Sequence, residues 1–165
     1  MRKIITSAAV AATAVALLGG TGIAAASSHA TAAKTETFQL MSTSTTSNKS
    51  SVIAHGAFTA AGVDTSGAHN TDTLTFPNGT LKLVHKRTGG SQHFDPKTCL
   101  ATFTETATYT LGSGTGAYKG VTGSGKATAN VLAIAARNSA GKCSMAKAPL
   151  AVHQEINGSG PVTMP

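Results

Sequence analysis

From Leu100 to Leu111 the chain alternates with period two and without a break. Phe103, Glu105, Ala107, Tyr109 and Leu111 share one face, and Thr102, Thr104, Thr106, Thr108 and Thr110 share the other. Successive side chains of a strand point to opposite sides, so this run has one solvated threonine face and one face turned toward a core. A helix would scatter both sets around its circumference. A lone strand is not stable in water, so the rest of the chain must supply a sheet.

Thr-, Val- and Phe-rich runs separated by turn residues do so. After a disordered lead, Thr31 to Thr35, a first strand is expected over Glu36 to Met41 and a polar connection over Thr43 to Ser51. Val52 to Ala60 reads as a second strand with a bulge or bend at Gly56, and Ala61 to Asn70 as a loop. Thr73 to Phe76 alternates, and Asn78-Gly79 within Pro77 to Thr80 predicts a tight hairpin turn returning as Leu81 to Lys86. Thr88 to Thr98, with Gly89 and Gly90, reads as a loop before the threonine-faced strand. Gly112 to Gly125 is a glycine-rich connection, and Lys126 to Arg137 suits either a strand or a helix. Leu150 to Ile156 alternates again, with Pro161 to Met164 pairing at the end. Seven or eight antiparallel strands in one domain predict an all-β barrel or sandwich.

The first thirty residues stand apart. Arg2 and Lys3 precede an apolar run from Ile4 to Leu18, and small residues follow through Ala24-Ala25-Ala26 and Ser28-His29-Ala30. That order is a secretory signal peptide, with cleavage expected after Ala26 or Ala30. The organisation is then residues 1–30 as signal peptide and residues 31–165 as one domain, secreted or held at the cell wall. No other segment is apolar enough to span a membrane. An oxidising compartment makes pairing the default for the two cysteines, Cys99 and Cys143. Such a bond ties the start of the threonine-faced strand to the far end of its returning neighbour, which favours the strand reading of Lys126 to Arg137.

The formal charge is +7, including Arg2 and Lys3, and the remaining basic residues are spread along the chain. A nucleic-acid binder would carry a basic stripe with interleaved aromatics, and none is present, so no nucleic-acid partner is expected. Gly120, Gly125 and Lys126 match a phosphate-binding loop up to Ala127, which replaces the Ser or Thr that such loops use to hold Mg²⁺. A glycine-rich turn explains the segment better. His55, His69, His85, His93 and His153 show no metal-ligand spacing, and no serine sits in a nucleophile elbow. No metal, no cofactor and no catalytic residue is therefore expected.

Glu105 stands out, because it lies among apolar residues on the core face, where a carboxylate is costly unless paired. His85 falls likewise on the Leu81/Leu83 face. Two readings stay open: both side chains supply polar contacts inside a ligand cavity beside Phe103 and Tyr109, or they reach solvent or pair with Arg87 or Arg137.

Along Tyr109 to Gly125, the residues Gly112, Gly114, Gly116, Tyr118, Gly120, Gly123 and Gly125 form a pattern that resembles small secreted actinobacterial proteins similar to the allene oxide cyclase and dirigent barrel superfamily. The resemblance extends over Glu36 to Met164 and implies an antiparallel β-barrel of about eight strands. It brings no working residues with it, because no motif here matches those on which either activity depends. The expected function is non-catalytic binding of a small apolar or aromatic molecule in the barrel. The alternatives are an isomerase- or cyclase-type or dirigent-like enzyme using the same lumen, and a cell-surface interaction protein without a ligand.

Overall fold

A computed structural model of the chain describes residues 32–44 and 46–165. The signal-peptide pattern falls outside the described residues. Among those described there are ten strands and one 3₁₀ turn: β1 (Lys34–Ser42), β2 (Lys49–His55), β3 (Thr59–Ser66), β4 (Thr71–Phe76), β5 (Gly79–Asp95), β6 (Leu100–Gly114), the turn Gly116–Tyr118, β7 (Thr122–Ile134), β8 (Ala136–Arg137), β9 (Cys143–Ser144) and β10 (Ala151–Thr163).

Eight of these close a barrel in the order β1, β10, β7, β6, β5, β4, β3, β2, with every neighbouring pair antiparallel. The chain therefore meanders from β1 to β7 and inserts β10 between β7 and β1 to seal the cylinder. Closure leaves the barrel itself no free edge for pairing with another chain. The remaining two strands, β8 and β9, form a small hairpin outside the barrel.

The threonine-faced strand is β6, and its register with β7 runs from Leu100↔Ile134 to Leu111↔Gly123. Lys126 to Ile134 is thus strand, with the glycine connection crossing between the two. The disulfide Cys99–Cys143 is formed, with a Cα–Cα separation of 5.4 Å, and it fastens the start of β6 to the β8–β9 hairpin.

Four local expectations are overturned. Val52 to Ala60 is two strands and not one: Gly56 adopts φ +144° and turns the chain between β2 and β3, where a Cβ would overlap the Thr35 carbonyl oxygen. Consequently Ala61 to Ser66 continues as β3, pairing with β2 and β4, and is not loop. Thr88 to Asp95 is not loop either, because β5 passes through a bulge between Arg87 and Gly89 and stays paired with β6 as far as Asp95↔Leu100. The lead also proves shorter, since Lys34 and Thr35 already pair with Val162 and Pro161.

One end of the barrel is filled. Phe38, Phe58, Phe76, Tyr109 and Tyr118 pack edge-on or tilted, with neighbouring ring centroids 5.0 to 6.2 Å apart. Leu74, Leu81, Leu111, Val121 and Val162 surround them. The glycine connection folds across this end, so that Tyr118 on the 3₁₀ turn seals it from outside. A chain with no Trp and only seven Phe and Tyr places five of them in this plug, which leaves few large groups for the other half.

Candidate functional site

Above the plug the barrel is open. The inward positions of β6, β7 and β10 at this level are Ala107, Ala127, Ala129 and Gly158, too small to meet across the centre. They leave a cavity of about 310 Å³. Phe38, Leu40 and Tyr109 form its floor, and Leu83, Val131 and Ile156 add apolar wall. Eight-stranded barrels are wide enough to hold one small ligand when small residues line them. This volume lies at the lower end of ligand pockets.

The wall is chemically divided. Apolar surface comes mainly from β1, β6, β7 and β10, whereas β3, β4 and β5 contribute Asp64, Asp72 and His85. Alternation turns each of these three inward: Asp64 follows Gly62 on β3, Asp72 precedes Leu74 on β4, and His85 follows Leu83 on β5. Asp64 pairs with Leu74, and Asp72 with Leu83, so the three side chains descend one diagonal across adjacent strands. His85 Nε2 lies 3.4 Å from Asp72 Oδ2.

Asp64 is only 2% exposed, and its Oδ1 has no hydrogen-bond partner. Burial first, and the Asp72 carboxylate second, push its pKa up to about 7, against a weaker opposing hydrogen bond from the Thr65 backbone. A carboxyl group so placed is part protonated at neutral pH.

All four residues singled out from sequence line this cavity. Phe103 and Glu105 stand toward the mouth on β6, Tyr109 forms part of the floor, and His85 faces it directly across the β5–β6 pair. Glu105 also meets Arg87, with Nε 3.2 Å from Oε2, and both side chains are substantially exposed at 44% and 64%. The two readings of Glu105 thus coexist: it borders the cavity and is held in a solvated ion pair at the rim. A smaller recess of about 240 Å³ adjoins, bordered by Arg87, Gly90, Phe103 and Glu105.

Sequence reasoning missed Asp64 and Asp72. Asp64 falls in a stretch whose composition reads as loop, and Asp72 stands just before the alternation that starts at Thr73. The available signal was the Gly62, Asp64, Ser66 alternation, which glycine and serine disguised as turn composition.

Glu36, also missed, is fully buried inside the plugged end. Its Oε2 accepts the Phe58 N–H at 3.0 Å, which holds the β2–β3 turn beneath the aromatics. Burial raises its pKa, against the hydrogen bonds from Phe58, Ala57 and His55. Among the described residues no group of three or more His, Cys, Asp or Glu is arranged to hold a metal ion. No helix among them is long and apolar enough to cross a membrane. No protein-family model, curated protein or solved structure matches the chain.

Proposed function

We propose that the protein is exported and binds a small apolar or aromatic molecule in its barrel lumen without altering it. The observation that carries this reading is the unfilled middle of the barrel, where Ala107, Ala127, Ala129 and Gly158 occupy positions that a packed interior would give to Leu or Ile. A barrel serving only as a surface scaffold gains nothing from such a void, since missing contacts weaken a core. Export is supported by the N-terminal pattern of Arg2 to Ala30 and by the disulfide. Kinship with the allene oxide cyclase and dirigent superfamily is part of this proposal and rests on the glycine pattern from Gly112 to Gly125.

The test uses N-phenyl-1-naphthylamine, a neutral aromatic fluorophore that brightens on leaving water. Saturable enhancement is expected with the purified disulfide-bonded protein. Ala129→Phe fills the lumen and should abolish it, while Thr106→Ala on the outer face should not. Absence of saturable binding, or binding indifferent to Ala129→Phe, overturns the reading.

A second reading, an isomerase- or cyclase-type enzyme, is favoured by Asp64 alone. A carboxyl with a pKa of about 7 beside Asp72 can both give and take a proton on a molecule held in the lumen. Turnover of a bound compound that disappears in Asp64→Asn while binding persists would select this reading over the first.

A further inference from the structure

The chain separates its charges across the barrel wall. Every lysine and arginine among the described residues is exposed. Of the six carboxylates in the whole sequence, four face inward: Glu36 in the plug, and Asp64, Asp72 and Glu105 on the cavity wall. A basic protein thus encloses an acidic lumen. Negative charge within low-dielectric walls focuses its field along the opening and raises the local concentration of cations.

A carboxylate cluster alone does not define a ligand, but Asp64 adds an independent sign. Its Oδ1 is buried and unpartnered beside an open cavity, an arrangement that costs stability unless something else supplies a donor. No side chain around it donates to that oxygen. Asp72 on β4 is an acceptor, and His85 on β5 is engaged with Asp72. Across the lumen Glu105 is held by Arg87, and the other polar groups of the lining, the serines with Asn48, Gln154 and the Tyr109 hydroxyl, carry no positive charge.

From this placement we infer that the lumen ligand is an organic amine, cationic at nitrogen and apolar elsewhere, whose ammonium group docks between Asp64 and Asp72. The inference rests on the lumen-binding reading and narrows its ligand class. An ammonium offers up to three N–H donors, enough for both carboxylates. Its apolar body then lies over Phe38, Leu40 and Tyr109. A bare metal ion would find no cluster of three or more ligating groups among the described residues. An acid would meet three carboxylates. Binding a cation favours the ionised form of Asp64, so affinity rises with pH through about 7.

The experiment compares 2-phenylethylamine with 2-phenylethanol, which share a ring and chain but differ in charge. Both displace N-phenyl-1-naphthylamine from the purified disulfide-bonded protein. Wild type should prefer the amine by about tenfold or more, the range of a charge-assisted contact. Asp64→Asn should lose most of that preference, and Asp72→Asn part of it, while both still bind the fluorophore. Equal competition by amine and alcohol overturns the inference and leaves the lumen reading intact. A preference that survives both substitutions also overturns it. If neither fluorophore nor amine binds, the lumen reading falls and takes the inference with it.

Discussion

His85 Nε2 stands 3.4 Å from Asp72 Oδ2 on the cavity wall, and this pairing leaves Asp64, one strand further on, buried with an unpartnered oxygen. The diagonal therefore contains one satisfied carboxylate and one strained one. Departures of this kind from full polar satisfaction concentrate at functional or strained sites.

The strain is measurable as a pH dependence. Because the folded-state pKa of Asp64, about 7, lies above its ordinary 3.8, folding favours the protonated form. Its penalty is absent below pH 4, grows as pH rises toward 7, and is constant above that. Asp64→Asn removes the ionisation, so the variant should match wild type near pH 4 and exceed it at pH 8. Three pKa units set an upper bound of about 4 kcal/mol. Thermal unfolding of both proteins from pH 4 to 8 checks this, the gap between the two curves isolating Asp64 from the other carboxylates. Parallel curves would show that Asp64 is not strained.

Tyr109 gives a second test, at the cavity floor. Its hydroxyl is buried without a partner, and burial together with the nearby Glu36 pushes its pKa up to about 12. Tyr109→Phe removes an unsatisfied polar group and keeps the ring, so stability should hold or rise. The ring sits where Gly125 leaves room: a Cβ there would lie 2.6 Å from Tyr109 Cζ and Oη and overlap the Ser159 carbonyl oxygen. Gly125→Ala should therefore cost about 1–3 kcal/mol by overpacking. Urea midpoints for the two variants should move in opposite directions or, for Tyr109→Phe, not fall.

The strand β6 was legible because its two faces differ so sharply in chemistry, and the hairpin within Pro77 to Thr80 because turn residues cluster there, although Pro77 and Asn78 form its two-residue loop and Gly79 already pairs with Phe76. Both signals are local. Gly56 and the Gly89–Gly90 pair carry the same composition as loops, yet one makes a two-strand turn and the other sits inside a continuous strand, just past its bulge. Which of these a glycine does depends on the partner strand it meets, as with Gly56 against the Thr35 carbonyl, and that partner is distant in sequence. The candidate site divided in the same way. Glu105 and His85 announced themselves as polar groups on apolar faces, whereas Asp64 and Asp72 became visible only when closure set β3, β4 and β5 side by side.

Glu36 holds the plugged end through backbone contacts, and two substitutions separate its roles. Glu36→Gln keeps an acceptor for the Phe58 N–H at the 3.0 Å position and removes a carboxylate whose pKa burial has raised. It should leave stability unchanged at low pH and raise it where the wild-type group is ionised. Glu36→Ala leaves the Phe58 N–H unpaired beneath the aromatics and should cost about 1–3 kcal/mol. A denaturant series at pH 4 and pH 8 distinguishes them. Equal losses for Gln and Ala would mean that the carboxyl group itself, and neither volume nor a retained acceptor, is what this position requires.

The disulfide makes the final prediction because it is remote from the cavity floor. It closes a loop with a sequence separation of 44, for which the chain-entropy model gives about 4 kcal/mol. The hairpin it fastens is also held by hydrogen bonds, from the Ala135 N–H to the Cys99 carbonyl at 2.9 Å and from Arg137 Nη2 to the Lys97 carbonyl at 2.8 Å. Those contacts keep the hairpin docked in the folded state, so the bond acts chiefly by restricting the unfolded chain. A Cys99→Ala/Cys143→Ala double variant should melt well below wild type yet bind N-phenyl-1-naphthylamine as wild type does at temperatures where it is folded. Thermal unfolding and fluorescence titration on the same preparation check both halves. A variant that keeps its melting temperature would remove the chain-entropy account, and one that loses fluorophore binding while folded would show that the bond shapes the lumen.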